Sequence, residues 1–153
     1  MLQIRSFGRR VTLGATAGLL GLALLPKPAA ARMEEATAAA IRRAIGDRVP
    51  QDGRVVLRVP AIAENGNAVP MVVTVESPMT QADHVKSLHI FADKNPAPDV
   101  AHFRFTPAMG RAVADTRIRL GMTQDVIAVA EMSDGRVFIG RAEVKVTIGG
   151  CGG

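Results

Sequence analysis

Among 153 residues there is one cysteine, no tryptophan, no tyrosine and only five phenylalanines. A single cysteine excludes an internal disulfide, so the domain must hold itself together by its packed core. The shortage of aromatics removes the platforms on which single-stranded nucleic acids stack, and the five phenylalanines are scattered rather than grouped. No serine, histidine and acid grouping resembles a nucleophilic triad, and no phosphate-binding glycine loop precedes a helix. The three histidines, His84, His89 and His102, form no His-x-His pair and have no acidic cluster beside them. They read as surface or interface residues rather than metal ligands. The sequence therefore leads us to expect no metal, no cofactor and no catalytic residue.

A long apolar run is also missing. Val11 to Leu25 is moderately apolar but broken by glycine, too short for a comfortable membrane span. It follows Arg9-Arg10 and ends in Pro26-Lys27-Pro28 before Ala29-Ala30-Ala31, a small-x-small cleavage pattern. A basic start, a short apolar centre and that site make residues 1–31 a secretory signal, and the paired arginines favour the twin-arginine route to the periplasm. Thr12 stands where a phenylalanine is usual after the pair. Removing 31 of 153 residues leaves 122. The leader holds four basic residues and no acid, so the remainder has 15 basic against 14 acidic residues, a net charge of +1. The high isoelectric point belongs to the leader, and no basic footprint for nucleic acid remains.

What is present reads as strands. Met33 to Ile45 is a helix, with acids at its start, arginines near its end and Gly46 as its stop; Ala38, Ile41 and Ile45 fall near one face. From Arg54 onward apolar and polar residues alternate in short runs: 54–59, 72–76, 85–92, 101–105, 117–120, 126–130 and 137–148. Asn65-Gly66 and Ser133-Asp134-Gly135 are tight-turn signals. About seven strands without intervening helices leave no room for parallel crossovers, so the expected fold is all-β, an immunoglobulin-like antiparallel sandwich spanning residues 32–148. Val126 to Ala130 is apolar on both faces, as for a strand buried in a subunit interface, although a central strand of a monomer reads the same way. Met71, Met79, Met109, Met122 and Met132 suit either a core or an adaptable interface. Arg117 and Arg119 share a face, available to an anion or to cross-strand pairing.

The last five residues are Gly149-Gly150-Cys151-Gly152-Gly153. Four glycines around a cysteine bury nothing and are expected to form a thin swinging arm, with an extended reach of about 16 Å. A thiolate can hold sulfur covalently, and no Lys, Arg or His within the arm activates it, so activation falls to partner enzymes. The alternative is a non-catalytic interaction module whose terminal cysteine forms an intermolecular disulfide. The absence of a resolving cysteine disfavours a thiol oxidoreductase.

With this terminal motif the chain resembles the SoxY family, the covalent carrier subunit of the bacterial Sox sulfur-oxidation system. Weaker similarity runs through Glu64-Asn65-Gly66, Val75 to Met79, Phe103 to Pro107, Thr116 to Leu120, Gln124 to Glu131 and Val144 to Ile148. The resemblance implies an immunoglobulin-like fold and a heterodimer with a SoxZ-like subunit, exported with it in the folded state. It also implies Cys151 as the sulfur attachment site, served by a haem-containing SoxAX-type enzyme, a SoxB-type hydrolase and, in some organisms, a SoxCD-type dehydrogenase. No further catalytic residue follows from it.

Overall fold

The computed structural model describes residues 29–150. It is an immunoglobulin-like β-sandwich with one N-terminal helix. Helix α1 (Ala29–Ile45) is followed by β1 (Gln51–Asp52), β2 (Val55–Arg58), β3 (Ile62–Asn65), β4 (Val69–Val75), β5 (Val85–Ala92), β6 (Asp99–Arg104), β7 (Ala112–Ile118), β8 (Gln124–Met132) and β9 (Val137–Ile148). One sheet runs β1-β9-β8-β5-β6 with β3 also on β9, and the other runs β2-β4-β7. The expected signal at residues 1–31 lies outside the described residues except for Ala29 to Ala31, which open α1.

Alternation builds the sandwich. On β4, Val69, Met71, Val73 and Val75 are buried while Pro70 is exposed; they meet Leu88, Ile90, Val126, Ala128, Ala130 and Val144 of the facing sheet. The bounds of β5 and β9 agree with those read from alternation. Gly135 at φ +87 permits the tight β8–β9 turn, where the Met132 amide donates to the Arg136 carbonyl and the Gly135 amide to the Met132 carbonyl.

The structure corrects several sequence expectations. Nine strands are described rather than about seven, because β1 has only two residues and β3, Ile62-Ala63-Glu64-Asn65, does not alternate. Both pair with β9 in parallel, Gln51 opposite Phe138 and Ala63 opposite Val146. In both pairs the intervening strands of the chain, rather than a helix, connect the two partners. The segment 126–130 is part of β8, a central strand whose second face is covered by α1. Ile127 and Val129 pack there with Phe91, Ala40 and Ile45, so its double burial is internal rather than a subunit interface. Asn65-Gly66 does not turn a hairpin: it starts a short 3-10 turn from β3 to β4, in which the Asn65 side chain accepts from the Asn67 amide.

On α1, Ile41 and Ile45 pack against the sheet as expected, and only Ala38 departs from the expected face. Ala38 is exposed, while Thr37, Ala40 and Ile45 are buried. Thr37 is acceptable there because its hydroxyl donates to the Met33 carbonyl at 3.0 Å and lies 3.2 Å from the Asp93 carbonyl. Met71, Met79 and Met132 fill the core, whereas Met109 and Met122 are exposed. No described helix is long and apolar enough to cross a membrane.

Leu88 is fully buried between the sheets. Leu88→Ala removes buried methylenes and leaves a cavity, so urea denaturation should show a loss of about 2–5 kcal/mol.

Candidate functional site

Strand β9 delivers the chain to Gly149 and Gly150, where three backbone segments converge. The Gly150 amide donates to the Leu120 carbonyl at 3.0 Å, and the Leu120 amide donates to the Gly66 carbonyl at 2.8 Å. Gly150 is buried. The packing leaves no space for side chains. A Cβ on Gly66 would collide with the Leu120 carbonyl oxygen and lie 2.6 Å from the Gly150 nitrogen. A Cβ on Gly149 would collide with the Gly121 carbonyl oxygen. One on Gly150 would lie 2.9 Å from the Arg119 Cγ and from the Gly66 carbonyl. These glycines are required by close approach, whatever freedom they also give.

Polar side chains lock the platform from behind. Asn95, in the β5–β6 loop, donates through Nδ2 to the Arg119 carbonyl at 2.8 Å. Its Oδ1 accepts from the Gly121 amide at 3.0 Å and from Gln124 Nε2 at 2.9 Å. Gln124 is almost fully buried, and its Oε1 accepts from the Lys94 amide at 2.9 Å, so no desolvated group is left unpaired. The Val146 amide donates to Thr123 Oγ1 at 3.0 Å, and Thr147 Oγ1 donates to the Glu64 carbonyl at 3.0 Å. The end of β9 is thus held from both sides up to Gly150.

An arm expected to leave the body at Gly149 is therefore placed differently: Gly149 and Gly150 lie against the platform. Cys151, Gly152 and Gly153 lie outside the described residues. Arg119 runs beside Gly150 and is exposed, and Arg117 is exposed on β7; neither makes an ion pair among the described residues.

Two of the three histidines meet across a hairpin, a contact that their spacing does not show. His89 and His102 are directly opposed on β5 and β6, and their rings stack at 4.2 Å between centroids with 8° between planes. Only the register of the hairpin reveals this pair. His84 stays apart, with Nδ1 3.0 Å from the Thr80 carbonyl. Burial, then the charge of His102, hold His89 below the ordinary imidazole range, against the pull of Asp99 and Glu131. No group of three or more metal-ligating side chains exists among the described residues.

Gly66→Ala forces a methyl into both the Leu120 carbonyl and the Gly150 amide. It should cost about 1–3 kcal/mol in urea denaturation and, by releasing the tail, speed alkylation of Cys151 by iodoacetamide. An unchanged alkylation rate would mean that the docked tail does not limit access to the thiol.

A family model described as "Sulfur oxidation protein SoxY" matches residues 41–151. The sulfur carrier protein SoxY from Chlorobium limicola f thiosulfatophilum is 30% identical, with 74% of this chain and 98% of that chain covered, at a TM-score of 0.63. A putative superoxide reductase from Thermotoga maritima is 18% identical over 63% of this chain and 93% of its own, at a TM-score of 0.53. The superoxide reductase (neelaredoxin) of Ignicoccus hospitalis is 15% identical over 61% of this chain and 80% of its own, at a TM-score of 0.54. These two share the fold alone. No curated protein sequence matches. The matched span takes in most of the chain and ends on Cys151, and the chain belongs to the SoxY family.

Proposed function

We propose that this protein is a periplasmic sulfur covalent carrier, exported by its arginine-pair leader, that binds its cargo on the Cys151 thiol and presents it to partner enzymes. The observation that supports this most directly is the docked end of β9 in a chain of the SoxY family. Gly150 is hydrogen-bonded to the body, and the next residue is the one thiol in the protein. One peptide unit, ~3.8 Å between Cα atoms, separates that thiol's residue from Gly150. A partner enzyme must therefore either accept the edge of the body formed by the turn at Gly66 and the Arg119–Gly121 loop, or peel Gly149 and Gly150 away from it. The second route lengthens the reach towards the five-residue limit.

The chemistry balances with the carrier as a scaffold. Joining thiosulfate to the thiol forms a sulfur–sulfur bond, releases the thiol proton and passes two electrons to the haem-containing SoxAX-type partner. Hydrolysis by a SoxB-type partner then breaks the bond to the terminal sulfonate sulfur, adds water, releases sulfate and leaves a persulfide on Cys151. A SoxCD-type enzyme oxidises that sulfur where one is present. The carrier supplies no acid, base or metal to any step. It supplies a covalent handle and, as a heterodimer with a SoxZ-like subunit, a docking surface.

Cys151→Ser separates this reading from a disulfide-locked module. The variant should still form the complex with the SoxZ-like subunit on size-exclusion chromatography, while thiosulfate-dependent cytochrome reduction by the reconstituted partners falls to background. Loss of the complex itself would instead assign the cysteine to assembly.

A further inference from the structure

An open cleft of about 430 Å³ lies on the outer face of the larger sheet, at the opposite end of β5 from the Asn95 loop. The stacked His89–His102 pair lines it, together with Lys86 and Ser87 from β5, Arg104 from β6 and Glu131 from β8. Hydrogen-bond donors dominate this lining. The one carboxylate in it is already spoken for: Glu131 Oε1 lies 3.2 Å from Lys86 Nζ and 3.1 Å from Arg48 Nη1. That pairing, led by the Arg48 hydrogen bond, holds the Glu131 carboxyl below its ordinary range and keeps it ionised. Arg104 is exposed and makes no ion pair among the described residues.

We propose that this cleft binds a small sulfur oxyanion, sulfate or thiosulfate, between the His89–His102 pair and the Arg104 and Lys86 cations. A metal cation fits poorly, because Lys86 and Arg104 line the same cleft and no group of three ligating side chains exists among the described residues. An anion answers a specific cost of the stack. Two imidazoles 4.2 Å apart repel when both are protonated, and a divalent anion beside them offsets that repulsion. Anion and proton binding are then reciprocal: each strengthens the other. The other charged groups around the pair are Lys86 on β5, Asp99 and Arg104 on β6, Glu131 on β8 and Arg48 after α1. The imidazoles are the groups whose protonation this proposal invokes. Protonation rises as the pH falls, so affinity strengthens below the imidazole range and weakens above it. The choice of sulfur over phosphorus rests on the carrier reading; the donor geometry does not.

The full chain contains three histidines, and His84 lies outside the cleft, which gives the test an internal reference. Imidazole proton resonances should be followed by NMR while sodium sulfate or sodium thiosulfate replaces sodium chloride at constant ionic strength. The His89 and His102 signals should shift saturably while His84 stays still, and the pKa of the pair should rise with sulfate. Arg104→Gln, which leaves the core untouched, should weaken binding by roughly tenfold, as expected on losing a charge-assisted hydrogen bond. Shifts that are unsaturable, shared by His84 or unaltered in Arg104→Gln would overturn the site. Phosphate binding more tightly than sulfate would overturn the sulfur assignment. Because no step involves Cys151, Cys151→Ser should titrate identically, so failure here and failure of the carrier reading are separable.

Discussion

The close approach of Gly66, Leu120 and Gly150 is the contact on which the rest of the arrangement depends. Two backbone hydrogen bonds connect these segments, with the Leu120 residue donating to one neighbour and accepting from the other. They form only because Gly66, Gly149 and Gly150 carry no side chains. The short parallel pairing of β3 with β9 brings Gly66 to this point. The Asn95–Gln124 network holds the Leu120 segment against it. The covalent site proposed at Cys151 thus follows a fixed foothold, and the physical question for a partner is whether to take the thiol where it stands or to break that foothold first.

A division of labour follows from the layers. The inner faces of both sheets are aliphatic and methionine-filled, and α1 closes the outer face of β8 over Ile127 and Val129. Arg48 continues from the helix to Glu131, which also receives Lys86, so helix and sheet are joined by charge as well as by packing. Each of these pairs is partly exposed and contributes little to stability alone. Their larger effect is to neutralise the one acid lining the histidine cleft, which leaves that surface cationic.

Sequence periodicity made the sandwich readable where strands were long. The eight residues of β5 and the twelve of β9 alternate over enough turns of the pleat to fix their ends. The strands β1 and β3 were not readable, since β1 has two residues, β3 does not alternate, and their partner lies 80 or more residues away. Val126 to Ala130 shows why double burial is ambiguous: an apolar run records that both faces are covered but not by what, and here the cover is α1. The glycines at 149 and 150 have two physical uses, freedom and close approach. Sequence alone suggested the first, and the carbonyls of Gly66 and Gly121 reveal the second. The His89–His102 pair depends on hairpin register, which a bulge between Ile90 and Phe91 makes hard to infer from spacing.

The most direct test of the proposed carrier chemistry is the intact mass of the protein recovered, without reductant, from cells oxidising thiosulfate. A carrier should show additions matching sulfur atoms or a thiosulfate-derived group, removable by reductant and mapping to Cys151. A bare thiol, or only a disulfide to another protein, would contradict a carrier role.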